Sequence, residues 1–211
     1  MNYEVIGEPS YSLVKVNLEA GEEVFVEAGS MVAMEGDFEV ETRSRGLFKA
    51  LISEEGLFLN KFVAKESGSI WFAPSLPGNI RYIELKDNGV VVVSTAYLAH
   101  HGEIKQEVIW RGFRGIIGGG GLLWLRLKGQ GGIWINGCGE IVEKEIKGDK
   151  KFTLDNLHLV CMDDTLDFNI RKFGGLKSFL LGGEGLVMDV KGTGRLYLQT
   201  RNPSIFFAKR K

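Results

Sequence analysis

Apolar and polar residues alternate with a period of two along most of this chain, in short runs bounded by glycine or by acidic turns, which is the pattern of half-buried β-strands. Near the start, Leu13, Val14, Val16 and Leu18, then Val24, Phe25 and Val26, predict two strands joined by a turn at Glu19 to Glu23 centred on Gly21. Further on, period two places Phe62 with Ala64, Leu125 with Leu127 and Met188 with Val190 on one face of a strand. After an intervening turn, Ile70 with Phe72, Ile133 with Ile135 and Leu196 with Leu198 share a face as well. The opposite face of that second strand carries one aromatic each time: Trp71, Trp134 and Tyr197.

These strands recur because the chain repeats itself. KESGSIWF from Lys65, KGQGGIWI from Lys128 and KGTGRLYL from Lys191 stand at a constant spacing, 128 − 65 = 191 − 128 = 63. A glycine follows each lysine by three, an aliphatic residue by five and an aromatic by six. Upstream, Gly29 to Met34 corresponds to Ala96 to His100 and Leu157 to Cys161, each followed by an acidic turn at Glu35 to Asp37, Glu103 or Asp163 and Asp164. The connecting segment PGNIRYIELKDNG from Pro77 aligns without gaps to CGEIVEKEIKGDK from Cys138. One supersecondary unit used three times is the economical reading, with units at 1–77, 78–138 and 139–211 sharing a core. The expected fold is all-β: three tandem small β-sandwich repeats around a pseudo-threefold axis.

Between two strands of every unit lies a loop that is both basic and apolar. Arg43, Arg45 and Lys49 flank Gly46-Leu47-Phe48; Arg111 and Arg114 flank Gly112-Phe113; Arg171, Lys172 and Lys177 flank Gly174-Gly175-Leu176. First-to-last glycine spans are 10, 9 and 10 residues (56 − 46, 121 − 112, 185 − 175), so the loops are expected to have a defined shape. Residues 47–52 and 176–181 have room for only a turn or two of helix. If the units share an axis, all three loops point one way. The candidate contact residues are then Arg45, Leu47, Phe48, Lys49, Arg111, Phe113, Arg114, Ile116, Lys172, Leu176, Lys177, Phe179 and Leu180. Apolar wedges among cations suit an anionic membrane surface. Burial beneath the sandwich or against another ring is the plainer reading of the same residues.

Composition narrows the function classes. With 29 glycines, 4 prolines and 44% hydrophobic residues the chain suits an all-β protein with tight turns. A net charge of −1 argues against a general polyanion binder. The two cysteines, Cys138 and Cys161, with no secretory signal ahead of them, read as free thiols in a reducing cytoplasm. No apolar run reaches the length of a bilayer span. The scarcity of glutamine (Gln106, Gln130 and Gln199) beside abundant Lys and Glu points to a thermophilic source.

Candidate chemistry is thin. Adjacent His100 and His101 leave a strand on opposite faces and do not ligate one metal together; His158 and Cys161 fall at positions where the other units carry Met, Tyr or His. Gly118 to Gly121 lacks the Lys-Ser or Lys-Thr of a phosphate loop, and Ser178 lacks a nucleophile elbow. The carboxylate pairs Glu54-Glu55 and Asp163-Asp164 read as turn caps or solvated groups. No catalytic residue, metal site or cofactor is expected.

The segments GLFLN, FAPSLPGNI, GGLKSFLLGGEGL and the closing LQTRNP resemble the altered inheritance of mitochondria 24 family, also known as domain of unknown function 124. The likeness covers essentially the whole chain. It implies a fold similar to the trp RNA-binding attenuation protein, with chains assembling into trimers or larger rings, and, for the mitochondrial relatives, a part in inner-membrane organisation. The second loop departs from the pattern, since Gly115 to Gly121 lacks the glutamate present as Glu55 and Glu184. The resulting expectation is a non-enzymatic, ring-forming homo-oligomeric scaffold, cytoplasmic and peripheral at the inner face of the membrane, with Trp71, Trp134 and Tyr197 packing between repeats or subunits. The alternative is a small-ligand or RNA-binding regulatory protein of the attenuation type, disfavoured for nucleic acid by the charge balance.

Overall fold

The computed structural model describes residues 1–44, 58–117, 120–174 and 186–207. Alternation dominates them. The strands are β1 (Asn2–Ile6), β2 (Leu13–Leu18), β3 (Glu23–Glu27), β4 (Met31–Glu35), β5 (Phe38–Ser44), β6 (Phe58–Ala64), β7 (Gly68–Phe72) and β8 (Gly78–Val93). They continue through β9 (Tyr97–Ile117), β10 (Gly120–Cys138), β11 (Ile141–Ile146), β12 (Phe152–Asp155), β13 (Leu159–Asp163), β14 (Leu166–Lys172), β15 (Leu186–Gly192) and β16 (Gly194–Gln199). Helical structure among the described residues is confined to 3-10 turns at Ser94–Ala96 and Asn156–His158 and to α1 (Ser204–Phe207). The chain is all-β, built from several sheets.

Among the described residues every strand-to-strand ladder is antiparallel, and one order of pairing recurs. In the first third β7 lies between β2 and β4, and β6 lies between β3 and β5. In the last third β16 lies between β11 and β13, and β15 between β12 and β14. The middle third fuses the two triplets into long strands, with β10 running between β8 and β9 throughout. Two ladders tie the thirds together: β3 to β9 through Phe25↔His100 and Val26↔Ala99, and β8 to β13 through Val92↔Cys161, Val91↔Met162 and Val90↔Asp163. Among the described residues, β4 and β12 are each the outermost strand of a sheet.

The expected strands at the start of the chain form, but they belong to different sheets: β2 pairs with β1 and β7, whereas β3 pairs with β6 and β9. Strand β1, which carries little alternation, owes its place to the ladder with β2 from Asn2↔Asn17 to Ile6↔Leu13. Local pattern identifies a strand; it does not name the partner.

Two apolar clusters make up the core. One joins Val14, Val16, Leu18, Val24, Val26, Phe62, Ile70 and Phe72 to Ile80, Leu98, Ala99 and Trp134 of the middle third. The other joins Val90 to Val93, Trp124, Leu125 and Leu127 to Leu159 to Met162, Met188, Val190 and Leu196 of the last third. All three period-two pairs ahead of the lysine turn are buried: Phe62 and Ala64, Leu125 and Leu127, Met188 and Val190.

The glycine three residues after each lysine has a steric cause. A Cβ on Gly68 would stand 2.5 Å from the Glu35 carbonyl oxygen, on Gly131 it would overlap the His101 carbonyl oxygen, and on Gly194 it would lie 2.8 Å from the Thr165 hydroxyl. In each third, therefore, the strand passes hard against the acidic turn that follows its neighbouring strand, which favours a residue without a side chain.

Candidate functional site

Each basic, apolar segment spans the end of a ladder between successive strands. The last pairs before the three segments are Ser44↔Phe58, Ile117↔Gly120 and Lys172↔Leu186. Arg45, Leu47, Phe48 and Lys49, and Leu176, Lys177, Phe179 and Leu180, lie outside the described residues, as do the expected short helical turns at 47–52 and 176–181. The second segment departs from expectation. Arg111, Phe113, Arg114 and Ile116 belong to β9, whose ladder with β10 continues through Leu123↔Arg111 and Gly121↔Arg114. Register shifts at Gly120, Gly121 and Leu123 let the ladder continue where a loop is expected. Lys172 ends β14 and is exposed, next to exposed Phe173, so a cation and an apolar ring sit together at the base of the third segment.

Arg171 is committed to the fold. Its guanidinium donates to both oxygens of Asp189, at 2.8 and 3.1 Å, and Thr153 Oγ1 donates to the same carboxylate at 2.7 Å. These bonds hold the Asp189 carboxyl far below the usual carboxylate range.

The three aromatic positions occupy separate environments. Trp71 is half-buried on β7, donates from Nε1 to Ser69 Oγ at 3.2 Å, and has Lys15 Nζ 5.1 Å from its ring centre. Trp134 is fully buried at the seam between the first and middle thirds, with the rings of Phe72, Tyr3 and Tyr82 at 5.6, 5.4 and 5.3 Å. Tyr197 is buried beside Arg195, 5.9 Å from its ring, and burial pushes its hydroxyl up to about 12.

Around Trp134 lies a group that the sequence does not announce. Tyr82 hydroxyl and His101 Nε2 are 2.9 Å apart with their rings nearly parallel, and Tyr3 packs on Tyr82 at 4.8 Å. The chain's amino terminus meets Glu22 at 2.5 Å. Burial, followed by the positive amino terminus, lowers His101, while burial raises Tyr82 and Tyr3. Both effects favour a neutral imidazole and a neutral phenol, which suits a packed hydrogen-bonded pair. These residues come from three strands distant in sequence, so periodicity gives no sign of them.

His100 meets different neighbours, as strand alternation requires: it stacks on Phe25 at 4.6 Å and bonds to the Tyr97 hydroxyl. His158 Nδ1 lies 2.7 Å from the Gln199 carbonyl oxygen. Gln199, from the LQTRNP segment, accepts from Cys138 N at 2.8 Å and donates to Leu157 O at 2.6 Å, so its amide replaces two missing ladder partners. Cys138 and Cys161 are free, buried thiols, and burial raises both. Among the described residues no three His, Cys, Asp or Glu side chains converge as a metal site would need. No helix among them is long and apolar enough to cross a membrane. A hollow of about 480 Å³ beside β11 and β12 is lined by Lys144, Glu145, Ile146, Lys147, Lys150, Lys151 and Phe152.

Comparison with known proteins covers nearly the whole chain. The family model described as mitochondrial biogenesis AIM24 matches residues 3–201. An uncharacterised protein of Streptococcus pyogenes serotype M6 is 26% identical over 215 residues, covering 96% of this chain and 86% of that protein. A crystal structure of a Streptococcus pyogenes protein, a structural genomics target, superposes with a TM-score of 0.82 at 27% identity, covering 97% of this chain and 95% of the other.

Proposed function

From the premise that this chain belongs to the mitochondrial biogenesis AIM24 family, we propose that it is a non-enzymatic scaffold. Three copies of one small β-sandwich module, arranged about an axis, assemble with further copies of the chain and present their basic, apolar segments to an anionic membrane surface. The observation that carries this reading is that all three segments occupy the same place in the pairing pattern, the end of the β5–β6, β9–β10 and β14–β15 ladders. Equivalent placement and equivalent composition together make a repeated contact surface. Multiplication over copies turns weak single contacts into firm attachment. The attenuation-type reading has less support, because stacking bases needs accessible rings and the structure buries Trp134 and Tyr197.

Co-sedimentation with vesicles tests the membrane role. The protein is expected to pellet with phosphatidylserine-containing vesicles at low salt, to release at high salt, and to leave neutral phosphatidylcholine vesicles in solution. The combined variant Lys49→Glu, Arg114→Glu, Lys177→Glu should bind at least about tenfold more weakly, since each basic residue near such a surface contributes about 1 kcal/mol. Wild-type protein that stays in the supernatant with anionic vesicles at low salt contradicts the membrane role.

A further inference from the structure

We propose that the hollow beside β11 and β12 is a binding site for a phosphate monoester whose other end is apolar. The site goes beyond the membrane reading above and does not rest on it.

At this place the last third departs from the middle third. The gapless alignment of PGNIRYIELKDNG with CGEIVEKEIKGDK sets Ile83 against Lys144, Leu85 against Ile146 and Gly89 against Lys150. Backbone geometry agrees, since Asp87 and Gly148 fall at one position with φ of 60° and 69°. Ile83 and Leu85 are buried, at 4% and 1% exposed. Ile146 is still buried at 3%, whereas Lys144 and Lys150 are exposed. One turn thus keeps its shape and its apolar floor while gaining two cations beside Lys147 and Lys151.

These cations outnumber the carboxylates that face them. Glu145 lines the hollow too, but it pairs with Lys147 at 2.9 Å, and Lys151 pairs with Asp189 at 3.4 Å. Lys144 and Lys150 pair with no carboxylate among the described residues. Gathered ammonium groups repel one another until an anion enters, and a dianionic phosphate accepts from several of them at once. The frame is fixed beforehand. Gly192 N donates to Gly148 O at 2.9 Å, and Asp189, which holds Lys151, is itself held by Arg171 and Thr153. Room remains for more than phosphate, because about 480 Å³ suits a small organic ligand, and half-buried Phe152 offers it a ring beside Ile146. Phe152 pairs with Val190 on β15, four residues (190 − 186) from the Lys172↔Leu186 pair at the base of the third basic segment. That separation is about 13 Å along the strand, so hollow and segment are distinct surfaces.

Isothermal titration calorimetry at constant ionic strength tests this with two probes, inorganic phosphate and phenyl phosphate. Phenyl phosphate is expected to bind once per chain and at least about threefold tighter than inorganic phosphate, because its ring packs on Phe152. The double variant Lys144→Gln, Lys150→Gln should bind both probes at least about tenfold more weakly. Both lysines are exposed, so that variant should unfold at the wild-type temperature. Phe152→Leu should abolish the preference for phenyl phosphate and leave the affinity for inorganic phosphate unchanged. A soluble ester and a lipid headgroup carry the same phosphate, and vesicles of phosphatidic acid in phosphatidylcholine tell them apart. For a soluble ester the double variant pellets with them as wild type does; pelleting lost together with phenyl phosphate binding keeps the site and assigns it to a headgroup. No saturable binding of either probe, or binding that the double variant retains, overturns the site. Phenyl phosphate that binds no better than inorganic phosphate overturns its apolar half. None of these results bears on the phosphatidylserine pelleting expected through Lys49, Arg114 and Lys177, so the two readings fail separately.

Discussion

Replacing Trp134 with alanine is expected to destabilise the protein by about 3–5 kcal/mol, the range for emptying a large aromatic site in a core. The indole is fully buried and joins the first third to the middle third, with Phe72 at 5.6 Å on one side and His101 at 5.6 Å on the other. Tyr3 and Tyr82 close over it at 5.4 and 5.3 Å. Its Nε1–H has no hydrogen-bond partner among the described residues, so Trp134→Phe removes volume without stranding a partner and should cost markedly less. Trp71→Ala is the control. Its ring is half-buried on one sheet, and its loss should cost about 1 kcal/mol. Denaturant unfolding followed by circular dichroism measures all three, and equal effects at Trp134 and Trp71 would contradict a central seam at Trp134.

Gly131→Ala is expected to cost at least about 3 kcal/mol, because two penalties coincide there. The residue has φ of 144°, where a side chain is strained, and its Cβ would overlap a backbone oxygen that no rotamer change can move. The equivalent substitutions form a graded series. Gly68→Ala meets the Glu35 carbonyl oxygen at 2.5 Å and should be intermediate. Gly194→Ala meets the Thr165 hydroxyl at 2.8 Å, a side-chain group that can rotate away, with Asp163 Cβ and Leu166 Cγ at 3.1 and 3.2 Å, and should be mildest. Thermal unfolding of the three variants should rank them 131, 68, 194 from worst to mildest; a reversed order would detach the repeated glycine from the close approach that explains it.

That glycine shows how far the sequence carries. Its recurrence three residues after Lys65, Lys128 and Lys191 is visible without coordinates, and so are the period-two faces of Phe62, Leu125 and Met188, because both follow from local backbone geometry. Partner choice is not local. The separation of β2 from β3 into different sheets, and the pairing of Phe25 with His100, depend on contacts between segments distant in sequence that no short window contains. The second basic segment was legible as composition but not as conformation, since the register shifts at Gly120 and Gly121 extend the ladder past Arg111 and Arg114. The pairing of Tyr82 with His101 was invisible for a related reason. Tyr82 stands in the repeated connecting segment and His101 beside His100, but their 2.9 Å contact exists only once β8, β9 and β10 lie side by side.

Together the ladders describe a chain that makes the same joint internally at β3–β9 and β8–β13 and keeps the corresponding edges, β12 and β4, at the outside of their sheets. The assembly of copies proposed above would extend that arrangement, and the repeated segments act together only if it forms. Native mass spectrometry at micromolar concentration tests this most directly. The account predicts a dominant species whose mass is an integer multiple, greater than one, of the single-chain mass. A dominant single chain, unchanged as concentration rises, would contradict it.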